Sequence, residues 1–331
     1  MDIARNLVDA ARNLAPAKPD PERTYRLRTD EHVPDGIRRI ARGQLLDARD
    51  DLDGTPSRKV PTAVHETRKH IKRLRASVRL SRTAIGEETY ERENTALRMA
   101  ARRISAPRDA HVLLATLDAL TARFADELAP DTTARLRTRL DDERTAATAA
   151  LGDDNGAVAA TRATLGDVLA RTPTWTFARD EFDALSPGLR RTYRRGRRAM
   201  RAARKDPSAE NLHAWRKRVK DLWHVTEIVR AARPKALKRV ARRAHKLSSV
   251  LGDHHDLHVL RAYVESHPQC FTEESSRQAL LAVIDRRAAR LCEKSLARGR
   301  KLYKRKPKRF VREIERGWRK RAAAAPKPTA G

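Results

Sequence analysis

VHETRKHIKRLRASVR, residues 64–79, is the stretch from which the fold can be read. At about 100° per residue, Val64, Thr67, Ile71, Leu74 and Val78 fall on one side of a helix. His65, Arg68, Lys69, Lys72 and Arg79 fall on the adjacent side, with Arg75 at its edge. An apolar face beside a cationic one predicts an amphipathic α-helix that buries the first and exposes the second. LHAWRKRVKDLWHVTE, residues 212–227, repeats the plan. Leu212, Trp215, Val219 and Leu222 take the apolar places; His213, Arg216, Lys217 and Lys220 take the basic ones. Both copies open His-x-x-Arg-Lys-x-x-Lys-x-Leu, 148 residues apart. Two such helices in matching phase suggest a duplicated site for something anionic.

Other blocks repeat in the same order. Asp109-Ala-His111-Val112-Leu113 matches Asp256-Leu-His258-Val259-Leu260 at an offset of 147, and Ile37–Arg42 resembles Leu189–Arg194 at 152. This is an internal duplication, each half a four-helix unit. Few segments alternate with a period of two, so the fold class is all-α. In the first half, helices are expected over about 34–50, 64–86, 87–104, 108–128 and 132–151. Residues 152–174 carry less charge and predict only a helical turn or two before Pro173, the boundary between halves. In the second half, helices are expected over about 187–205, 212–227 and 234–251. Gly252-Asp253 then reads as a break like that at Pro107, followed by a helix with Asp256, Val259 and Leu260, and helices over about 273–300 and 308–320. Residues 1–15 have helical apolar spacing, as a frayed terminus or a docking helix, before a Pro-rich connector; residues 322–331 read as disordered.

The 331 residues carry 73 Lys plus Arg against 43 Asp plus Glu, a formal charge of +30. Such a field draws polyanions: nucleic acid, an acidic membrane or an inorganic phosphate polymer. Aromatics are 4% of the chain, few for the stacking platforms of single-stranded nucleic-acid binders. Cys270 and Cys292 are the only cysteines, which suits a reducing compartment. No apolar run is long enough to span a bilayer and residues 1–20 lack a signal-peptide core, so the expected location is cytoplasmic.

On these motifs the chain resembles the CHAD family, the conserved histidine α-helical domain. The resemblance rests on Val64-His65-Glu66-Thr67-Arg68 through Leu74-Arg75, Pro107-Arg108-Asp109 with Val112, Leu212-His213 with Arg216-Lys217, and Leu251-Gly252 with Asp256. Tyr25-Arg26-Leu27 and Gly299, Leu302-Tyr303, Lys306-Pro307 and Phe310 look like that family's ends. It implies a domain over about 23–320, with halves 23–172 and 173–320, between an N-terminal segment 1–22 and a tail 321–331. It also implies two pseudo-symmetric four-helix bundles with a basic central groove or pore, and binding of inorganic polyphosphate rather than catalysis. No cofactor and no catalytic residue is implied; granule proteins are further partners, and association with polyphosphate granules follows. The sequence departs from the pattern where Trp223 stands in the place of Arg75, and where His255 precedes Asp256 as Arg108 precedes Asp109.

A polyphosphate chain offers closely spaced oxygens and no base edges. Arg gives it a planar fork and Lys a compact charge. His65, Arg68, Lys69 and Lys72 form a stripe about 10 Å long at 1.5 Å per residue, and His213, Arg216, Lys217 and Lys220 form its partner. Arg75, Arg79, Arg108 and Lys246 join the candidate ligand set, as does the α-helical stripe Arg194, Arg197 and Arg201. Asp109 and Asp256 would orient a neighbouring cation from behind, or sit at helix starts where the dipole favours them. Solvated charged faces are the plain alternative for each stripe. A basic helical nucleic-acid-binding protein is the rival reading, although no recognition-helix signature is present; under the polyphosphate reading nucleic acid is a non-specific competitor. A metal-dependent phosphohydrolase is a third reading, without a Walker loop or clustered carboxylates to support it. His254 and His258, one turn apart, would suit a metal, but the first half holds only Asp109 and His111 at the matching place, and no metal ligand is assigned.

Overall fold

The computed structural model describes residues 20–53, 60–128, 130–153 and 155–325. Among these it contains eleven α-helices and no strand: α1 Val33–Asp50, α2 Val60–Ile85, α3 Glu87–Arg103, α4 Ala106–Arg123, α5 Ala134–Asp153, α6 Asn155–Arg171, α7 Ser186–Lys205, α8 Ala209–Ile228, α9 Pro234–Ser266, α10 Glu274–Leu302 and α11 Pro307–Ala322. Proline opens α1, α4, α7, α9 and α11 within the first two positions, where its missing amide would have no intrahelical partner anyway. Ser208 caps α8 by accepting from the Asn211 amide at 3.4 Å. Gly86, at φ +82°, turns α2 into α3 through a conformation that a side chain would strain.

α1 packs on α2, α2 on α3, α3 on α6 and α6 on α1, closing a ring of four helices. In the second half α7, α8, α9 and α10 follow one another in the same way, with α10 touching α7 and α11 lying on α7. α2 also packs on α7 and α8, so the halves share one core. It joins Ile37, Ile71 and Leu74 to Tyr193, Trp215, Leu222 and Leu247. α2 and α7 cross with almost no space between them: a Cβ at Gly188 would lie 1.9 Å from the Leu80 carbonyl oxygen. The α4–α5 hairpin stands outside the first ring. Its Leu117, Leu120, Leu136 and Leu140 form a second core with Leu257 and Leu260 of α9 and Leu280 and Ile284 of α10.

Two expectations about elements are corrected. α9 is one helix of 33 residues that runs straight through Gly252-Asp253. A glycine inside a helix costs only about 1 kcal/mol relative to alanine, whereas proline costs about 3, so the chain breaks before Pro107 but not at Gly252. Residues 152–174 hold a full helix, α6, because Thr161, Leu165, Val168 and Thr172 supply buried positions at helical spacing. At Pro173 the helix does end, in a short 3-10 turn. The amphipathic stretch 1–15 lies outside the described residues. α11 continues through Ala322, and residues beyond 325 also lie outside the description.

Candidate functional site: two basic helices and their neighbours

α2 and α8 turn the same face inward. Val64, Thr67, Ile71, Leu74 and Val78 are each at most 1% exposed, and so are Leu212, Trp215, Val219, Leu222 and Thr226, their equivalents at an offset of 148. Full burial of each aliphatic side chain contributes about 1.5–3 kcal/mol, which fixes the rotation of both helices and hence the direction of both cationic stripes.

The two helices meet. Arg79 of α2 binds Asp221 of α8 at 2.8 Å. One turn on, the imidazole of His224 is buried. Burial holds its pKa down at about 3, and Arg73, Lys220, Arg79 and Lys72 depress it further. Lys72 and Lys220 occupy equivalent positions in the two copies, so equivalent cations from the two halves act on one imidazole.

The start of α8 faces α9. The rings of His213 and His255 lie 3.9 Å apart. Burial holds both near a pKa of about 4; for His213 the neighbouring His255, Lys217, Arg216 and Lys220 add to the effect, and for His255 Arg216, His258, Lys217 and His254 do. The Nδ1 atom of His213 is buried without a hydrogen-bond partner among the described residues. Arg216 lies across Gly252, where a Cβ would come 3.3 Å from the guanidinium. The glycine that reads as a helix break is thus the floor on which an arginine rests. Burial and Asp256 raise the pKa of Asp253 against the opposing pull of Arg287, Lys294 and Arg216.

The stripe of α2 runs on into an arginine cluster. Arg79, Arg82, Arg191, Arg195 and Arg218 line one pocket with Tyr90 and Asp221. Asp221 binds Arg218 at 3.1 Å as well as Arg79, and Arg191 donates to the Arg79 carbonyl at 3.2 Å. Burial lowers the pKa of Arg195, and Arg218 and Arg79 lower it further while Asp221 opposes them. Arg75, whose Nε donates to Asn94 at 3.1 Å, is pulled down to about 10 by burial and then by Arg79. Arg82 pairs in turn with Glu87 and lies 4.0 Å from Glu91 of α3, so the five cations of the cluster outnumber the carboxylates that reach them.

The remaining sequence-derived residues divide. His65 is well exposed, with Glu66 at 4.0 Å, and Lys69 pairs with Glu66. Arg68 donates to the Ala101 carbonyl of α3 at 2.9 Å, so it also ties two helices together. Asp109 lies in the first turn of α4, as a dipole-stabilised carboxylate would. Asp256 lies inside α9 and is no helix start. Lys246 is exposed and stands nine positions before His255, half a turn round α9, and so points away from α8. Arg194 and Arg201 are exposed, and Arg197 lies near Tyr193. The α7 arginines that approach α2 and α8 are Arg191 and Arg195, because Gly188, Tyr193, Gly196 and Ala203 set the buried side of that helix. Arg108 contributes helical backbone to α4, and its side chain lies outside the described residues.

The CHAD domain model matches residues 39–265, more than half of the chain. The chain belongs to the CHAD domain family. No curated protein matches the sequence. The matched span holds both CHAD stripes, the His213–His255 pair and the whole arginine cluster. Of the CHAD residues described above, sequence reasoning missed Arg82, Arg191, Arg195, Arg218 and Asp221 as members of a site. Arg82 was legible, since it extends the spacing 68, 72, 75, 79 by three residues. Arg218 and Asp221 were not, because they lie on the flank of α8 that becomes interior only when α2 and α7 arrive. Among the described residues no three His, Cys, Asp or Glu side chains cluster as a metal would require, and no helix is long and apolar enough to cross a membrane.

Proposed function

We propose that this CHAD protein binds inorganic polyphosphate along the face where α2 meets α8. The single observation that carries the reading is that α2 and α8 pack together, with Arg79 bound to Asp221 at 2.8 Å across them, so that the two basic stripes stand on neighbouring helices. On this reading the two equivalent helices are related by a pseudo-twofold axis and their stripes join into one continuous basic groove. His65, Arg68, Lys69 and Lys72 form one arm of it, and His213, Arg216, Lys217 and Lys220 the other. Arg75, Arg79 and the arginine cluster extend it. The site carries rigid helical cations, and the large aromatic side chain within the α8 arm, Trp215, is buried in the core and offers no platform, which suits a phosphate chain rather than bases. The unit responsible spans about 23–320, dividing near 172, with two pseudo-symmetric bundles. The protein acts by binding, without turnover, as a scaffold or sensor in the cytoplasm or on polyphosphate granules. A competition assay tests the reading. Labelled long-chain polyphosphate on the protein at moderate salt should resist duplex DNA added at equal phosphate concentration. Displacement by the duplex would leave only a non-specific polyanion surface.

A further inference from the structure

Away from the α2–α8 face, the far end of α8 and the start of α9 border an open basin of about 1150 Å³. Eight positions of α8 separate Lys220, the last residue of that arm, from Ile228, about 12 Å at 1.5 Å per residue, and the basin begins beyond Ile228. Its cationic wall is Arg28, Arg233, Lys235, Arg239, Lys320 and Arg321, against one lining carboxylate, Asp30. Arg28 engages Glu22 at 3.2 Å and Arg233 engages Glu313 at 2.9 Å. Among the described residues no salt bridge occupies Lys235, Arg239, Lys320 or Arg321. Those four charges therefore face one space with little internal compensation.

The chemistry of the lining narrows the ligand. The floor is alanine and glycine, and no aromatic side chain lines the basin, so it offers no platform for a base. The start of α9 adds backbone donors: no side chain caps it and no acidic residue stands in its first turn, so the helix end favours an anion. The charge also continues outward. From Ile228 to Gly252 the chain has no acidic residue, and Lys235, Arg239, Arg242 and Lys246 recur at helical spacing along one exposed stripe of α9. That stripe lies half a turn from His255, on the side of α9 turned away from α8.

We infer that the basin and the outer stripe of α9 form a second oligophosphate site, separate from the α2–α8 face and independent of the reading given for it. A chain with two such sites would hold two phosphate strands, or two segments of one strand, on different sides of the molecule.

Calorimetric titration of the full chain with inorganic tripolyphosphate at low salt tests this. The wild type should bind at two sites. Lys235→Glu with Arg239→Glu should remove one, weakening it by about tenfold or more, and Lys320→Glu with Arg321→Glu should weaken the same one. All four residues are surface positions, and a thermal melt verifies folding. Lys72→Glu with Lys220→Glu should remove the other site, and Lys301→Glu with Lys304→Glu should remove neither. The inference is overturned if both basin variants keep the wild-type stoichiometry, or lose no more than the Lys301 and Lys304 variant does. If the basin variants lose a site while Lys72→Glu with Lys220→Glu changes nothing, the second site stands and the α2–α8 assignment falls.

Discussion

Asp221→Asn removes the carboxylate that Arg79 and Arg218 share in the arginine cluster while keeping its shape. In the wild type its two oxygens accept from Arg79 at 2.8 Å and Arg218 at 3.1 Å, with the Asp221 side chain 15% exposed. Hydrogen bonds to charged groups contribute about 1.5–3 kcal/mol each. Asparagine keeps one acceptor and turns an amide donor toward the other guanidinium, so the loss is about one such bond, ~2–3 kcal/mol. At ~2 °C per kcal/mol for a chain of this size, the melting temperature should fall by about 4–6 °C. Polyphosphate affinity should move the other way. At an effective dielectric near 20, a phosphate about 12 Å from Asp221 is repelled by ~1.4 kcal/mol, about tenfold in affinity before salt screening. Saturating polyphosphate, which at a hundredfold excess over its dissociation constant adds ~2.7 kcal/mol, should therefore narrow the gap between variant and wild type. Thermal melts with and without polyphosphate at low salt measure both effects. A variant as stable as the wild type, or one that binds polyphosphate more weakly, would refute the idea that Asp221 stands in for an external anion.

Gly188→Ala places a Cβ 1.9 Å from the Leu80 backbone oxygen; neither helix can yield, so chemical denaturation should show a loss at the upper end of overpacking costs, ~3 kcal/mol. Gly252→Ala should gain up to ~1 kcal/mol of helix stability and weaken polyphosphate binding, because the new methyl crowds Arg216, and a stability curve beside a titration separates the two. The histidines set a pH dependence. His213 and His255 titrate near 4 in the folded chain against an ordinary 6.5, so between these values the unfolded chain binds more protons. Stability should fall as pH drops from about 6.5 to 4, the loss should be smaller in His213→Ala with His255→Ala, and bound polyphosphate should offset it by favouring the imidazolium form. Denaturation midpoints across that range, with and without polyphosphate, check the sign.

The two basic helices were legible because periodicity and repetition are local properties: a buried ladder at 64, 67, 71, 74 and 78 recurs intact at 212, 215, 219, 222 and 226. The floor under Arg216 was not, because a glycine inside a helix and a glycine at its end look alike in sequence, and only packing against α8 decides between them. α7 shows the same limit. From Arg190 to Lys205 its basic residues cover about half of the helix circumference at 100° per residue, so composition cannot say which of those arginines face α2; Gly188 does, by forcing contact with Leu80. Lys246 was drawn into the candidate set by charge alone and is excluded from the α8 side by the rotation of α9. Arg68 fits the stripe by spacing, yet its bond to Ala101 gives it a structural task that no spacing reveals.

The most direct measurement is the affinity of long-chain polyphosphate for Lys72→Glu with Lys220→Glu, the equivalent pair where the halves meet, beside Lys301→Glu with Lys304→Glu at the same change of net charge. Binding at the α2–α8 face predicts that the first variant loses affinity by an order of magnitude or more, about 1.4 kcal/mol at least, while the second stays within a small factor of the wild type. Equal losses in the two variants would mean that the net charge of the chain, and not this face, holds the polyanion.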